Sequence, residues 1–306
     1  MQIGVQSGHI YDDADYEQGL QMIKDAGFDC IDFNIDTKLS IGRLAEKGEN
    51  PFFSRPLEEI LAHYKPQKEA ADRLGLRYGQ MHAPFPVYVD GNDAANEAIV
   101  DATIKCMAVC ALFECPYLIV HPIIWDGTEK EEQKLNMEFY QKLIPAAKQY
   151  KVCICLENMF DGHTGHVTEA ACSDFAQAAA YIDALNTIAG EEIFGFCYDV
   201  GHATLLGKNQ RRSLNILGKR LKTLHIHDND GRSDLHMQPY AYSRGKYYVT
   251  DWDGLADGLR DIGYEGVLSF ETFHALVSLP KALKPAMLSY IAACGRYFAD
   301  RITSAQ

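Results

Sequence analysis

Six apolar, strand-like segments each stop on a residue type that binds metal ions: Met81-His82, Val120-His121, Leu156-Glu157, Tyr198-Asp199, Leu224-His225 and Phe270-Glu271. His202 follows Asp199 by three residues, and Asp234-Leu235-His236 adds a pair in a loop. One His at a strand end is usually structural. A series at successive strand ends points to a metal site, because side chains at one end of neighbouring parallel strands converge. Glu157, Asp199, His225 and Glu271 offer three carboxylates and one imidazole. That hard oxygen-and-nitrogen set suits a single Mn²⁺, Mg²⁺, Co²⁺ or Zn²⁺. It also puts a Lewis acid beside groups able to move protons. His82 and His121 read as binders of substrate or of a second metal, His202 as a second ligand or a binder of a substrate hydroxyl, and Asp234 with His236 as candidates for a further ion. His227 shares its face with His225, and His225 is preferred because position 227 begins the loop. His163 and His166 read as loop surface.

Eight strand–helix units must position these residues. The strands are expected near 3–6, 30–34, 76–82, 117–121, 152–157, 195–199, 223–227 and 267–271. Amphipathic helices are expected between them, near 15–26, 57–74, 93–113, 129–150, 172–188, 209–219, 252–262 and 281–298. Such alternation gives parallel strands with helical crossovers, and eight units give an α/β fold, a (β/α)8 barrel, over residues 1–306 as one domain. No GxGxxG follows the first strand, which weakens a dinucleotide-binding reading. Side-chain alternation supports the barrel. Ile154 and Leu156 share one face of the fifth strand, and Cys153, Cys155 and Glu157 share the other. The sixth and eighth strands divide in the same way: the large apolar face suits packing under helices, and the smaller face ends in the metal-binding type. Three long connections open on the same mouth. They carry Lys38, Arg43 and Arg55, then His163 and His166, then Arg232, Arg244 and Lys246.

The chain has 306 residues and a formal net charge of −13. An acidic chain is a poor partner for a nucleic-acid backbone, which needs a basic face. No apolar run reaches the roughly 18 residues that span a membrane. The N-terminus starts in a strand without the pattern of a signal peptide. Nine Cys, scattered singly with no CxxC, read as reduced thiols of a cytoplasmic protein.

Together His82-Ala83-Pro84, His121-Pro122, Glu157-Asn158, Asp199-Val200-Gly201-His202, His225-Ile226-His227-Asp228, Asp234-Leu235-His236 and Glu271-Thr272 resemble the xylose isomerase-like barrel superfamily. The branch they resemble is its sugar phosphate isomerase/epimerase family, related to inosose dehydratases, ketose 3-epimerases and endonuclease IV. The resemblance covers nearly the whole chain and implies a carbohydrate substrate. It also implies one divalent ion on Glu157, Asp199, His225 and Glu271, with the two Glu exchanging the substrate proton through a metal-held enediolate. His202 matches a substrate-binding His, and Arg232 is the nearest counterpart of a substrate-contacting Arg. Relatives often form homo-oligomers. Ketose 3-epimerases carry a second Glu six residues after the first, where this chain has His163, which counts against a free-ketose 3-epimerase. A lyase or dehydratase shares the same enolate chemistry. In an endonuclease IV-like zinc phosphodiesterase all nine positions would hold up to three Zn²⁺. The acidic charge and the segment Met237-Gln238-Pro239-Tyr240 count against that.

Overall fold

The computed structural model describes residues 1–40, 44, 50–163 and 165–304; Arg43 lies outside the described residues. Five parallel strands run in chain order: β1 (Gln2–Gln6), β2 (Cys30–Asn34), β3 (Arg77–His82), β4 (Tyr117–Ile119) and β5 (Cys153–Glu157). A small hairpin, β6 (Phe160–His163) with β7 (His166–Glu169), stands where a loop was expected. The main sheet resumes with β8 (Phe194–Asp199) and β9 (Leu221–His225). A second hairpin, β10 (Ser243–Arg244) with β11 (Tyr247–Tyr248), lies in the next long connection, and β12 (Val267–Phe270) pairs with β1. The ring closes between β9 and β12. Ile226 N–H donates to Ser269 O at 2.9 Å, and Glu271 N–H donates to Ile226 O at 3.1 Å. This is the (β/α)8 barrel that the alternation predicts.

The helices follow the expected spans: α1 (Tyr16–Ala26), α2 (Leu57–Leu74), α3 (Asp93–Leu112), α4 (Glu129–Tyr150) and α5 (Phe175–Ala189). After β8 comes a short helix that was not expected, α6 (Val200–Leu205), and then α7 (Gln210–Leu217), α8 (Trp252–Asp261), a second unexpected short helix after β12, α9 (Phe273–Val277), and α10 (Lys284–Thr303). Local chemistry sets several ends. Thr128 and Glu131 form a reciprocal cap at the start of α4. Gly27 closes α1 in the left-handed region, at φ 95°, where a side chain would strain the backbone. None of the described helices is long and apolar enough to cross a membrane. All nine cysteines are free.

The strand faces divide as the alternation predicts. Ile154, Leu156, Phe196, Tyr198, Leu268 and Phe270 pack outward in the apolar layer under the helices. Ile119, Cys155 and Cys197 form a separate small cluster in the barrel lumen. The buried polar residues Asp32, Gln80, Thr223 and Ser269 lie on the faces opposite the outward apolar set. The last inward position of β3, β5, β8 and β9 therefore faces the C-terminal mouth: His82, Glu157, Asp199 and His225.

Candidate metal centre

The centre is built around His225, the last residue of β9. Its Nδ1 lies 3.3 Å from Glu157 Oε2, 3.4 Å from Glu271 Oε2 and 3.9 Å from Asp199 Oδ2. The four side chains come from β5, β8, β9 and the residue after β12, consecutive around the ring. Two further groups flank them. On one side His82 Nε2 and His121 Nε2 are 3.1 Å apart, and each approaches Glu157 Oε2, at 3.9 and 3.4 Å. On the other, His202, His227, Asp234 and His236 each bring one donor atom within 4.8 Å of the rest. The expected site residues thus converge on one mouth, with the exception of Arg232. Arg232 is exposed, sits in a turn closed by Asp230, and does not line the cavity. His227, set aside in favour of His225, is also inside: its Nε2 lies 3.1 Å from both Asp199 oxygens. His166 is exposed.

The ring nitrogens are oriented from outside. His82 Nδ1 donates to Ala83 O at 2.8 Å, His202 Nδ1 to Asn158 O at 2.9 Å, and His236 Nδ1 to Glu271 O at 3.2 Å. A carbonyl accepts only an N–H, so in the neutral imidazole each of these three keeps a lone pair on Nε2. Each Nε2 faces the group it belongs to, the arrangement metal-binding histidines use. Asp32 stands behind His225, with its Oδ2 3.3 Å from His225 Nε2. Gln80 Nε2 in turn donates to Asp32 Oδ2 at 2.7 Å.

Asp199 has two duties. Its Oδ1 caps α6 by accepting from His202 N–H, and that turn carries His202 back over the mouth. Asn158 fixes the same corner: its side chain donates to Asp199 O and accepts from Asp199 N–H, both at 2.9 Å. Gly201 is required here, because a Cβ at that position would fall 1.9 Å from the His227 ring.

These residues fit a cation. Glu157 Oε2, His225 Nδ1, His227 Nδ1 and Asp234 Oδ1 are buried without a hydrogen-bond partner. Buried orphan acceptors are costly, and a divalent ion between them would satisfy several at once. The proton affinities follow the same crowding. Burial works against the ionised form of both Glu157 and Glu271. At Glu157 the neighbouring His225 and His121 reverse this and hold the carboxyl well below its ordinary value. At Glu271 burial prevails, and the carboxyl is pushed up to about 7. Burial and the adjacent His121 push His82 down to about 3, so it stays neutral, the form that binds metal. Burial opposes charge on both His202 and His225; Asp199 and Asp234 outweigh it at His202, and Cys197, Glu271 and Glu157 at His225, so both are pushed well above the usual range. Cys197 lies beneath Glu157 and His225, and burial pushes its thiol up to about 12.

Sequence reading missed Asp32, Asn158 and the walls of the cavity. Asp32 shares a strand face with Cys30 and Asn34 and lies inside its strand, where strand ends give no signal. The cavity measures about 410 Å³, with Glu157, Glu271 and His82 at its floor and Phe85, Ile124, Phe160 and Phe273 among its walls. Three of the phenylalanines each pack on a histidine of the centre: Phe85 on His121, Phe160 on His202 and Phe273 on His236, with ring centroids 4.5, 4.9 and 4.2 Å apart.

Comparison with known proteins agrees with this architecture. The chain is 23% identical over 268 residues to the uncharacterized protein y4fM of Sinorhizobium fredii (strain NBRC 101917 / NGR234), covering 84% of this chain and 82% of that one. Its fold is similar to that of a D-tagatose 3-epimerase-like protein, with TM-score 0.69 and 17% identity over 98% of this chain and 100% of the other. It is also similar to the IolI protein solved with a zinc atom, with TM-score 0.66 and 17% identity over 99% and 98% of the two chains. The family model described as xylose isomerase-like TIM barrel matches residues 20–291, so this chain belongs to the xylose isomerase-like TIM barrel family.

Proposed function

We propose that this chain is a divalent-metal-dependent sugar isomerase or epimerase that moves a proton next to a carbonyl. One observation carries the reading: Glu157 and Glu271 reach the same cavity from strands three apart, and each lies within 3.4 Å of His225 Nδ1. A divalent ion held by Glu157, Asp199, His225 and Glu271 would supply Lewis acidity to a carbonyl and its neighbouring hydroxyl. The protein's own part is proton transfer and positioning. One Glu removes the proton from the hydroxyl-bearing carbon beside the carbonyl. The other returns a proton to the opposite face of that carbon for epimerisation, or the same Glu returns it to the former carbonyl carbon for isomerisation while the hydroxyl proton passes to the former carbonyl oxygen. His82, His121 and His202, which line the cavity, would hold substrate hydroxyls. Resemblance to a D-tagatose 3-epimerase-like protein and to a zinc-bearing IolI protein supports the same reading.

The test is proton NMR of a panel of keto sugars in D₂O with the protein as purified. The expected result is loss of the signal at the carbon beside the carbonyl for at least one sugar. Glu157→Gln or Glu271→Gln should slow that exchange by roughly 10²–10⁴-fold with circular dichroism unchanged. Exchange at the full rate in either variant contradicts the assigned pair.

A second reading is an endonuclease IV-like zinc phosphodiesterase, favoured by the three contiguous donor groups. The net charge of −13 and a cavity without Lys or Arg among its described lining residues disfavour it. It requires nicking of abasic-site DNA that is lost in His82→Ala and His121→Ala. No nicking at high enzyme concentration rejects it.

A further inference from the structure

We propose that the substrate is an uncharged keto sugar carrying an apolar ring substituent, held by an aromatic subsite at the outer rim of the cavity. This rests on the isomerase/epimerase reading for the identity of the sugar portion. The subsite itself rests on how the cavity is lined.

Apart from the Tyr88 hydroxyl, the polar side chains of the cavity are the histidines and carboxylates of its floor, and each of these belongs to the donor groups already described. The walls are largely apolar and come from four separate connections: Phe85 to Tyr88 after β3, Ile123 and Ile124 after β4, Met159 and Phe160 after β5, and Phe273 after β12. The rim is open to solvent, with Phe85 46% and Ile124 42% exposed. Large apolar side chains exposed together beside a polar floor mark a binding surface. They are continuous with the centre, because Phe85 stacks on His121.

Charge argues against a phosphorylated substrate. Among the described residues, no Lys or Arg lines this cavity. Among the described cations of the nearby long connections, Arg55 and Arg244 are held elsewhere. Arg55 lies over the Phe52 ring at 4.2 Å and donates to Phe52 O. Arg244 donates to Asp230 O, and Arg232 and Lys246 are exposed. A phosphate at the rim would meet apolar walls above a floor bearing Glu157, Asp234 and Glu271. A free sugar fits only in part. Its far hydroxyls would lose water against Phe85 and Ile124 without gaining a partner, which costs binding. A flat apolar ring in the same place gains contact with Phe85 and Ile124 instead.

The experiment is calorimetric titration of the protein as purified with 1-O-methyl-D-fructose, 1-O-phenyl-D-fructose and D-fructose 6-phosphate. All three keep the keto carbon, and the first two differ only in the apolar group. The phenyl ether should bind roughly tenfold tighter or more than the methyl ether, and the phosphate more weakly than either. Phe85→Ala and Ile124→Ala should each narrow the phenyl-to-methyl ratio, with the melting temperature unchanged. Equal binding of the two ethers, tightest binding of the phosphate, no binding of any of the three, or an unaltered ratio in both variants overturns the proposal. The D₂O exchange experiment separates the two claims. Phenyl preference without exchange on any keto sugar leaves the subsite standing and removes the isomerase reading. Exchange without phenyl preference does the reverse.

Discussion

At the N-terminal mouth of the barrel a cavity of about 460 Å³ is lined by Gln2, Lys68, Asp72, Arg77, Glu114 and Val267 among others. At the C-terminal mouth lies one of about 410 Å³. The two are alike in size and are made by the two ends of the same strands. They differ in how their polar groups are satisfied. Below, Lys68 Nζ meets Asp72 at 2.6 Å and Glu114 at 3.0 Å, and both acids are largely exposed. Above, Glu157, Asp199 and His225 are almost wholly buried, and two of the three have donor or acceptor atoms without partners. The lower mouth has its charges paired, and the upper one keeps buried polar atoms that a cation would satisfy. Size does not distinguish a functional cavity here; unmet buried polarity does.

That contrast can be sharpened first at Asp32. If its carboxylate orients His225 from below, Asp32→Asn should weaken Mn²⁺ binding by roughly 10–100-fold while the metal-free protein melts as before. Unchanged affinity in calorimetric titration would reduce Asp32 to a lumen-filling residue.

The effect of pH comes next. His202, His225 and Glu271 all keep their protons to higher pH in the folded chain than in the unfolded one. Each contributes stability that is present below its unfolded value and lost as pH rises through its folded value. His82, held down to about 3, acts oppositely, and only below its ordinary 6.5. The melting temperature of the metal-stripped protein should therefore fall as pH rises above about 6.5, first through Glu271 near 7 and then through the two histidines. Saturating Mn²⁺ should abolish the fall, because the ion replaces those protons. A flat profile without metal would break the contrast between the mouths.

The smallest effect is expected below. Lys68→Ala removes a partly exposed pair and should cost less than about 1 kcal/mol in urea unfolding, with metal content untouched. A larger loss, or a loss of metal, would mean that the N-terminal mouth is not independent of the centre.

Much of this was legible in the sequence because barrel geometry turns a strand's last inward residue into a mouth residue. Glu157, Asp199, His225 and Glu271 followed from parity and strand ends alone, and the barrel from eight alternations. Parity also paired His225 with His227, and the structure keeps both at the mouth because the Ile226 bridge to Phe270 carries the strand direction past its assigned end. What escaped depends on partners distant in sequence. Asp32 gains its place from Gln80 and His225, which lie 48 and 193 positions away. The aromatic walls are assembled from four connections, none with a periodic pattern of its own. The helix α6 was hidden because its cap, Asp199, reads equally well as a strand end. Arg232 was expected near the substrate only from the family resemblance, as the nearest counterpart of a substrate-contacting Arg, and the turn at Asp230–Ser233 leaves it exposed.

The central claim, that the C-terminal mouth is a metal site, is tested most directly by metal content per chain. Plasma mass spectrometry on protein purified without added metal should give about one Mn, Co, Mg or Zn per chain, and His225→Ala should lose it. Two or three Zn per chain would extend occupancy to His82, His121 and the Asp234–His236 pair and bring the nuclease assay forward. A chain that carries no metal, and takes up neither Mn²⁺ nor Zn²⁺ on dialysis, would contradict the account.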